Sequence, residues 1–126
     1  MPIDVMWTND DQDIYLVHYW GDVTAGDMSA AFITTSEMIF QTQPRIDGIV
    51  IFDPVFRLPK DFAKHRSRLW QYWPPNLGKL VYTGNRFGWE VVTVYQDKFT
   101  THNWDLPYVP TFDAALNSIY ADRAKP

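Results

Sequence analysis

Apolar residues in this chain recur in short blocks whose period alternates between that of a strand and that of a helix. The most apolar block is Gly48 to Pro54, in which Ile49 to Phe52 run without a polar interruption. A strand apolar on both faces must be covered on both, which predicts the central strand of a sheet flanked by helices. Upstream, Ile3–Trp7 and Ile14–Trp20 read as strands, and the turn-forming cluster Asn9 to Asp13 makes them an antiparallel hairpin. In the second strand Ile14, Leu16 and His18 share one face, and Tyr15, Val17 and Tyr19 the other. Gly21 ends it. Thr24 with Asp27 three residues later has the form of a capping box, and Met28, Phe32, Thr35 and Ile39 then mark one face of a helix running to about Gln41.

Beyond the central strand, Pro59 suits a first helical turn because its missing N–H needs no partner there. The spacing of Phe62, Leu69 and Trp73 predicts a second helix from Pro59 to Tyr72, stopped by Pro74-Pro75. Lys79–Thr83 is a third core strand that ends at Gly84-Asn85. Arg86 to Thr100 carries two signals: Val91, Val92 and Val94 favour a strand by propensity, whereas Phe87, Val91 and Val94 recur at a helical period. A crossover is needed before another parallel strand, so a helix is expected, with Val91 and Val94 inward and Glu90 and Asp97 outward. Leu106–Val109 is the last short strand. Thr111 caps a final helix from Phe112 to Asp122, with Ala115, Leu116 and Ile119 facing the core. The whole predicts one α/β domain over residues 1–126: a mixed, mostly parallel five-stranded sheet with four helices, Ile49 and Ile51 buried at its centre.

That order, with the segments YWGDVTAGDM, GIVIFDP, KLVYTG and YVPTFDAALNSI, resembles the STAS-like fold in its SpoIIAA-like branch, over nearly the whole chain. STAS denotes sulfate transporter and anti-sigma factor antagonist. The shared features are a glycine after the second strand, Asp53, Pro59 and Asp61 after the middle strand, and the closing T-F-D-A-A-L helix. The resemblance implies a non-enzymatic interaction or regulatory module. Regulatory relatives carry a phosphorylatable Ser or Thr at the start of the helix after the middle strand, where the helix dipole favours phosphate. Residues 53–60 of this chain contain no hydroxyl, so that switch is missing. The branch also implies an alternative, a small binding protein for an apolar or lipid-like, anionic ligand.

Composition narrows the functions further. The 126 residues carry a net charge of −4, which argues against nonspecific nucleic-acid binding. No cysteine is present, so thiol chemistry and disulfides are excluded, and no apolar run reaches the ~20 residues of a membrane span. With no basic-then-apolar leader at its start, the chain is expected to be cytoplasmic. Eight Phe, six Trp and seven Tyr are an unusual aromatic content, read either as an aromatic-heavy core or as a pocket or docking face lined with rings.

His18, His65 and His102 fall on a strand, a helix and a loop without metal-ligand spacing, and no nucleophile elbow or phosphate loop occurs; neither a catalytic set, nor a metal, nor a cofactor is expected. Asp53, before Pro54, suits a carboxylate that caps local backbone donors. The clearest local signal is charge. Residues 57–68 hold Arg57, Lys60, Lys64, Arg66 and Arg68 against Asp61 alone, a local +4, while the rest of the chain carries −8. Lys60, Lys64 and Arg68 recur at a helical spacing, either as a solvated helix face or as a docking stripe beside Trp70 and Trp73. The candidate binding residues are therefore Asp53, Phe56, Arg57, Lys60, Lys64, Arg68, Trp70 and Trp73. The expected counterpart is an acidic protein or an anionic, apolar small ligand, and a homodimer stays open.

Overall fold

The computed structural model describes residues 2–41, 43–71, 73–99 and 104–125, with residues 63, 67 and 95–99 described by their backbone alone. Eight elements follow in order: β1 (Ile3–Trp7), β2 (Ile14–Asp22), α1 (Ala25–Ile39), β3 (Ile46–Arg57), α2 (Phe62–Leu69), β4 (Leu77–Gly84), α3 (Arg86–Phe99) and α4 (Phe112–Arg123). The sheet has four strands in the order β1-β2-β3-β4. β1 and β2 form the antiparallel hairpin, and β2, β3 and β4 run parallel. No helix among the described residues is long and apolar enough to cross a membrane.

The alternation in β2 divides the core as its sequence requires. Tyr15 and Val17 join Val50, Phe52, Leu80 and Tyr82 on the face covered by α1, α2 and α3. Ile14, Ile49 and Val81 lie on the other face under Ala115 and Ile119 of α4. Thr24 and Asp27 close the capping box on α1, and the Thr111 hydroxyl accepts the Ala114 N–H at the start of α4. Two glycines carry an aromatic ring directly on their backbone. A Cβ on Gly48 would lie 2.3 Å from the Tyr15 ring, and one on Gly88 would lie 2.3 Å from the Phe52 ring, so each aromatic ring packs directly on backbone.

Five expectations are corrected. The fifth strand shrinks to a single parallel bridge, Tyr82 to Tyr108, and on its amino side Pro107 has no N–H with which to extend the ladder. The sheet therefore has four strands, and the five-stranded, mostly parallel arrangement is not formed. The middle strand does not stop at Asp53-Pro54. Its register with β2 slips between Tyr19↔Phe52 and Gly21↔Phe56, so Asp53 and Pro54 sit in a bulge, and pairing resumes through Arg57. A proline is tolerated there because the ladder asks nothing of its nitrogen. The extra strand length comes out of the next helix: α2 starts at Phe62 rather than Pro59 and ends at Leu69, before Tyr72, which lies outside the described residues. Ile51 is only half-buried, although it packs against the cluster that buries Ile49.

The helix over residues 86–99 forms as the period indicated, but rotated. Val92 is buried with Gly88, while Phe87 and Val94 are 63% and 56% exposed. Glu90 faces water, and the Asp97 side chain and Thr100 lie outside the described residues. Phe52 dictates the rotation, because only a glycine fits against its ring.

At the amino ends of the parallel strands a buried charge cluster ties the chain's last helix to the sheet. Asp47 is fully buried, and its carboxylate accepts from Arg45 Nε at 3.1 Å, Arg123 Nε at 2.7 Å and the Lys79 backbone N–H at 2.6 Å. Arg123 also donates to Asp13, and Arg45 to Asp122. The Arg45 guanidinium beside Asp122 holds that carboxyl below its ordinary range, and the Asp47 carboxylate raises Arg45 in turn.

Candidate functional site

At the carboxyl ends of β3 and β4 the bulged end of β3, the turn into α2 and the start of α3 frame an open groove of about 540 Å³. In open α/β sheets this end is where ligands and partners gather, because the loops there are free of the strand ladder. Phe56, Leu58, Phe62, Phe87 and Val91 provide its apolar lining, and Arg57, Lys60 and Lys64 line it as well. The bulge at Asp53-Pro54 sets this up. By carrying β3 on to Arg57 it projects Phe56 and Leu58 past the end of β4, Phe56 packing on Phe52 at 5.2 Å between ring centroids. Opposite, the Asn85 side chain accepts the Phe87 N–H at the start of α3 and donates to the Pro54 carbonyl, so it joins the groove's two walls.

Arg57 is 84% exposed and its only described ion pair, to Asp22 at 3.7 Å, is equally exposed. Such a contact is worth little in water, so the guanidinium is available to an incoming anion. Lys60 precedes α2 instead of lying on it, which breaks the expected helical stripe, but Lys60 and Lys64 remain neighbours. Both also line a second hollow of about 230 Å³ on the far side of the α2 first turn, shared with Pro59, His65 and Arg68. The field here is strongly asymmetric: residues 1–44 contain no Lys or Arg, whereas this end gathers five cations within residues 57–68.

The candidate residues divide accordingly. Phe56, Arg57, Lys60 and Lys64 converge on the groove, and Arg68 borders the adjoining hollow. Asp53 does not join them. It points to the opposite sheet face, where its Oδ1 lies 3.3 Å from His18 Nε2 and its Oδ2 accepts the Val55 N–H, the local cap its sequence context suggested. Trp70 and Trp73 lie apart from the groove as well: Trp70 packs edge-on against Phe32 and Trp104, and Trp73 packs at a tilt against Trp104 while donating to the Leu77 carbonyl at the amino end of β4. The shortened α2 is the reason, because it leaves Trp73 outside the helix whose face it was to share.

Leu58, Phe62, Phe87 and Val91 complete the site. Phe87 was masked by its helical period, which placed it in the core; the glycine immediately after it is the signal that this helix meets the sheet elsewhere. Among the described residues no group of three His, Asp or Glu side chains is arranged to hold a metal ion. His65 bonds Ser29 at 3.1 Å across α1 and α2, and His18 bonds Asp53, so these two imidazoles lie in separate environments.

The groove thus sets apolar surface beside exposed cations, and no family model, curated protein or solved structure matches this chain.

Proposed function

We propose that the protein is a non-enzymatic, STAS-like interaction module that docks an acidic, apolar-bearing segment of a partner protein in the groove between β3, α2 and α3. The observation that carries this reading is the convergence of Arg57, Lys60 and Lys64 around the apolar surface of Phe56, Phe62 and Phe87. Aromatic and arginine side chains supply most of the energy at interfaces, and the guanidinium of Arg57 can engage a carboxylate through two parallel bonds. The absence of a hydroxyl in residues 53–60 makes the docking constitutive with respect to phosphorylation at that point. A second reading, a small anionic ligand with an apolar body in the same groove, is favoured by a volume that falls within the roughly 300–1,000 Å³ of small-molecule sites.

The test is fluorescence anisotropy with a labelled peptide that alternates Glu with Leu and Phe. The triple change Arg57→Glu, Lys60→Glu, Lys64→Glu should weaken binding about a hundredfold or more. It should leave the circular dichroism unchanged, because all three side chains are exposed. Raising salt from about 0.15 M to about 1 M should weaken the wild type in the same direction. Undiminished peptide binding by the folded triple variant refutes the proposal. Decanoate binding in place of the peptide selects the second reading.

A further inference from the structure

Behind α2, on the side away from the groove, a narrow cavity of about 40 Å³ lies between the helices and the covered face of the sheet. A single water needs roughly 10–15 Å³ by the same measure, so the space admits a molecule of a few heavy atoms. Its polar atoms are unusual. Tyr15 lines it with its ring 1% exposed, and its hydroxyl has no hydrogen-bond partner. Arg66 reaches in from α2 and donates through Nη2 to the Tyr82 hydroxyl at 3.2 Å. Among the described residues no carboxylate pairs with Arg66, and none lines the cavity. A partly buried guanidinium with one neutral acceptor and a buried phenol with none are both donors in want of an acceptor.

We propose that this cavity is a binding site for a short monocarboxylate, its head held by Arg66 and the Tyr15 hydroxyl and its aliphatic tail by Met28, Leu69 and Val92. The chemistry selects the class. A planar guanidinium takes a carboxylate through two parallel bonds, and the Tyr15 O–H supplies a third donor to the same oxygens. A phosphate or sulfate would present more oxygens than these donors can satisfy, and an amide would bring an N–H facing Arg66. The volume selects the length: a space of about 40 Å³ favours the shortest acids over longer chains. The Ser29–His65 bond clips α1 to α2 beside this cavity.

The experiment uses the whole protein with sodium propionate as the probe and propionamide and sodium phosphate as controls, read by the tyrosine ring resonances and by the melting temperature. Propionate should shift the Tyr15 and Tyr82 ring signals saturably and raise the melting temperature, while propionamide and phosphate leave both unchanged. Arg66→Gln should weaken propionate about tenfold or more. Tyr15→Phe should also weaken it, yet melt no lower than wild type without ligand, because the hydroxyl it removes bonds nothing. Ring signals unmoved by propionate, an equal response to propionamide, or full propionate affinity in Arg66→Gln each overturn the proposal and leave the cavity an internal water site only. The Arg57, Lys60 and Lys64 variants of the groove should bind propionate normally, which separates this site from the docking surface.

Discussion

Asp47→Asn removes one charge and one acceptor from the most connected carboxylate in the molecule while keeping its volume. Asp47 is fully buried and is bonded by Arg45, Arg123 and the Lys79 N–H. An asparagine keeps one acceptor oxygen but turns an NH₂ toward a guanidinium, so at least one charged donor loses its partner. Stripping one member from a buried ion pair costs about 3–5 kcal/mol. The arginines are not sealed off: Arg45 and Arg123 side chains are 34% and 23% exposed, and each keeps a second carboxylate, Asp122 and Asp13 respectively. Water therefore recovers part of the loss, and the expected destabilisation is about 3 kcal/mol, the low end of that range. Urea unfolding followed by circular dichroism measures it, since an uncharged denaturant leaves the ion pairs unscreened. The midpoint should fall at unchanged slope. A loss below about 1 kcal/mol would show that the arginines are satisfied without Asp47, by Asp122 and Asp13.

Three further outcomes follow from the packing. Ile49→Ala should cost about 2–5 kcal/mol and Ile51→Ala distinctly less, since Ile49 is fully buried and Ile51 half-buried; equal losses in urea midpoints would contradict the placement of α4. Gly88→Ala sets two effects against each other, a helix preference of about 1 kcal/mol for alanine and a collision with the Phe52 ring. The collision should win, with a net loss of about 1–3 kcal/mol in chemical denaturation, and a more stable variant would refute the close approach. Burial raises Tyr15 and Tyr19 above the ordinary tyrosine value near 10, so the neutral phenols stabilise the fold below about pH 10 and that contribution fades as the pH rises beyond it. Absorbance at alkaline pH should show these two ionising only as the circular dichroism is lost, and their titration in the folded protein would be the contrary result.

Much of the fold was legible because its local signals agree with its tertiary contacts. The hairpin, the Thr24 and Thr111 caps, the two faces of β2 and the inward Ala115 and Ile119 all rest on periodicity and capping chemistry that packing reinforces. The failures lie where a long-range contact overrides a local signal. Asp53-Pro54 is a stop signal in isolation, yet Gly21 and Asp22 of β2 offer a ladder that resumes beyond it. The helical period through Phe87 and Val94 is real, but the Phe52 ring fits only against Gly88 and turns the helix. The groove was half legible for the same reason. Its cations stood out as a charge excess over residues 57–68, whereas Phe87 comes from an element that no local pattern brings beside them. The buried cluster was not legible: nothing near Asp47 in sequence indicates that Arg123, 76 residues on, would reach it.

The most direct measurement of the docking reading is the map of backbone amide shifts when the acidic, apolar peptide is titrated into isotope-labelled protein. The groove reading expects saturable shifts confined to residues 56–64 and 87–91, fading as salt is raised, with the His18–Asp53 face silent. Shifts centred on the His18–Asp53 face, or no saturable shift at all, would contradict it.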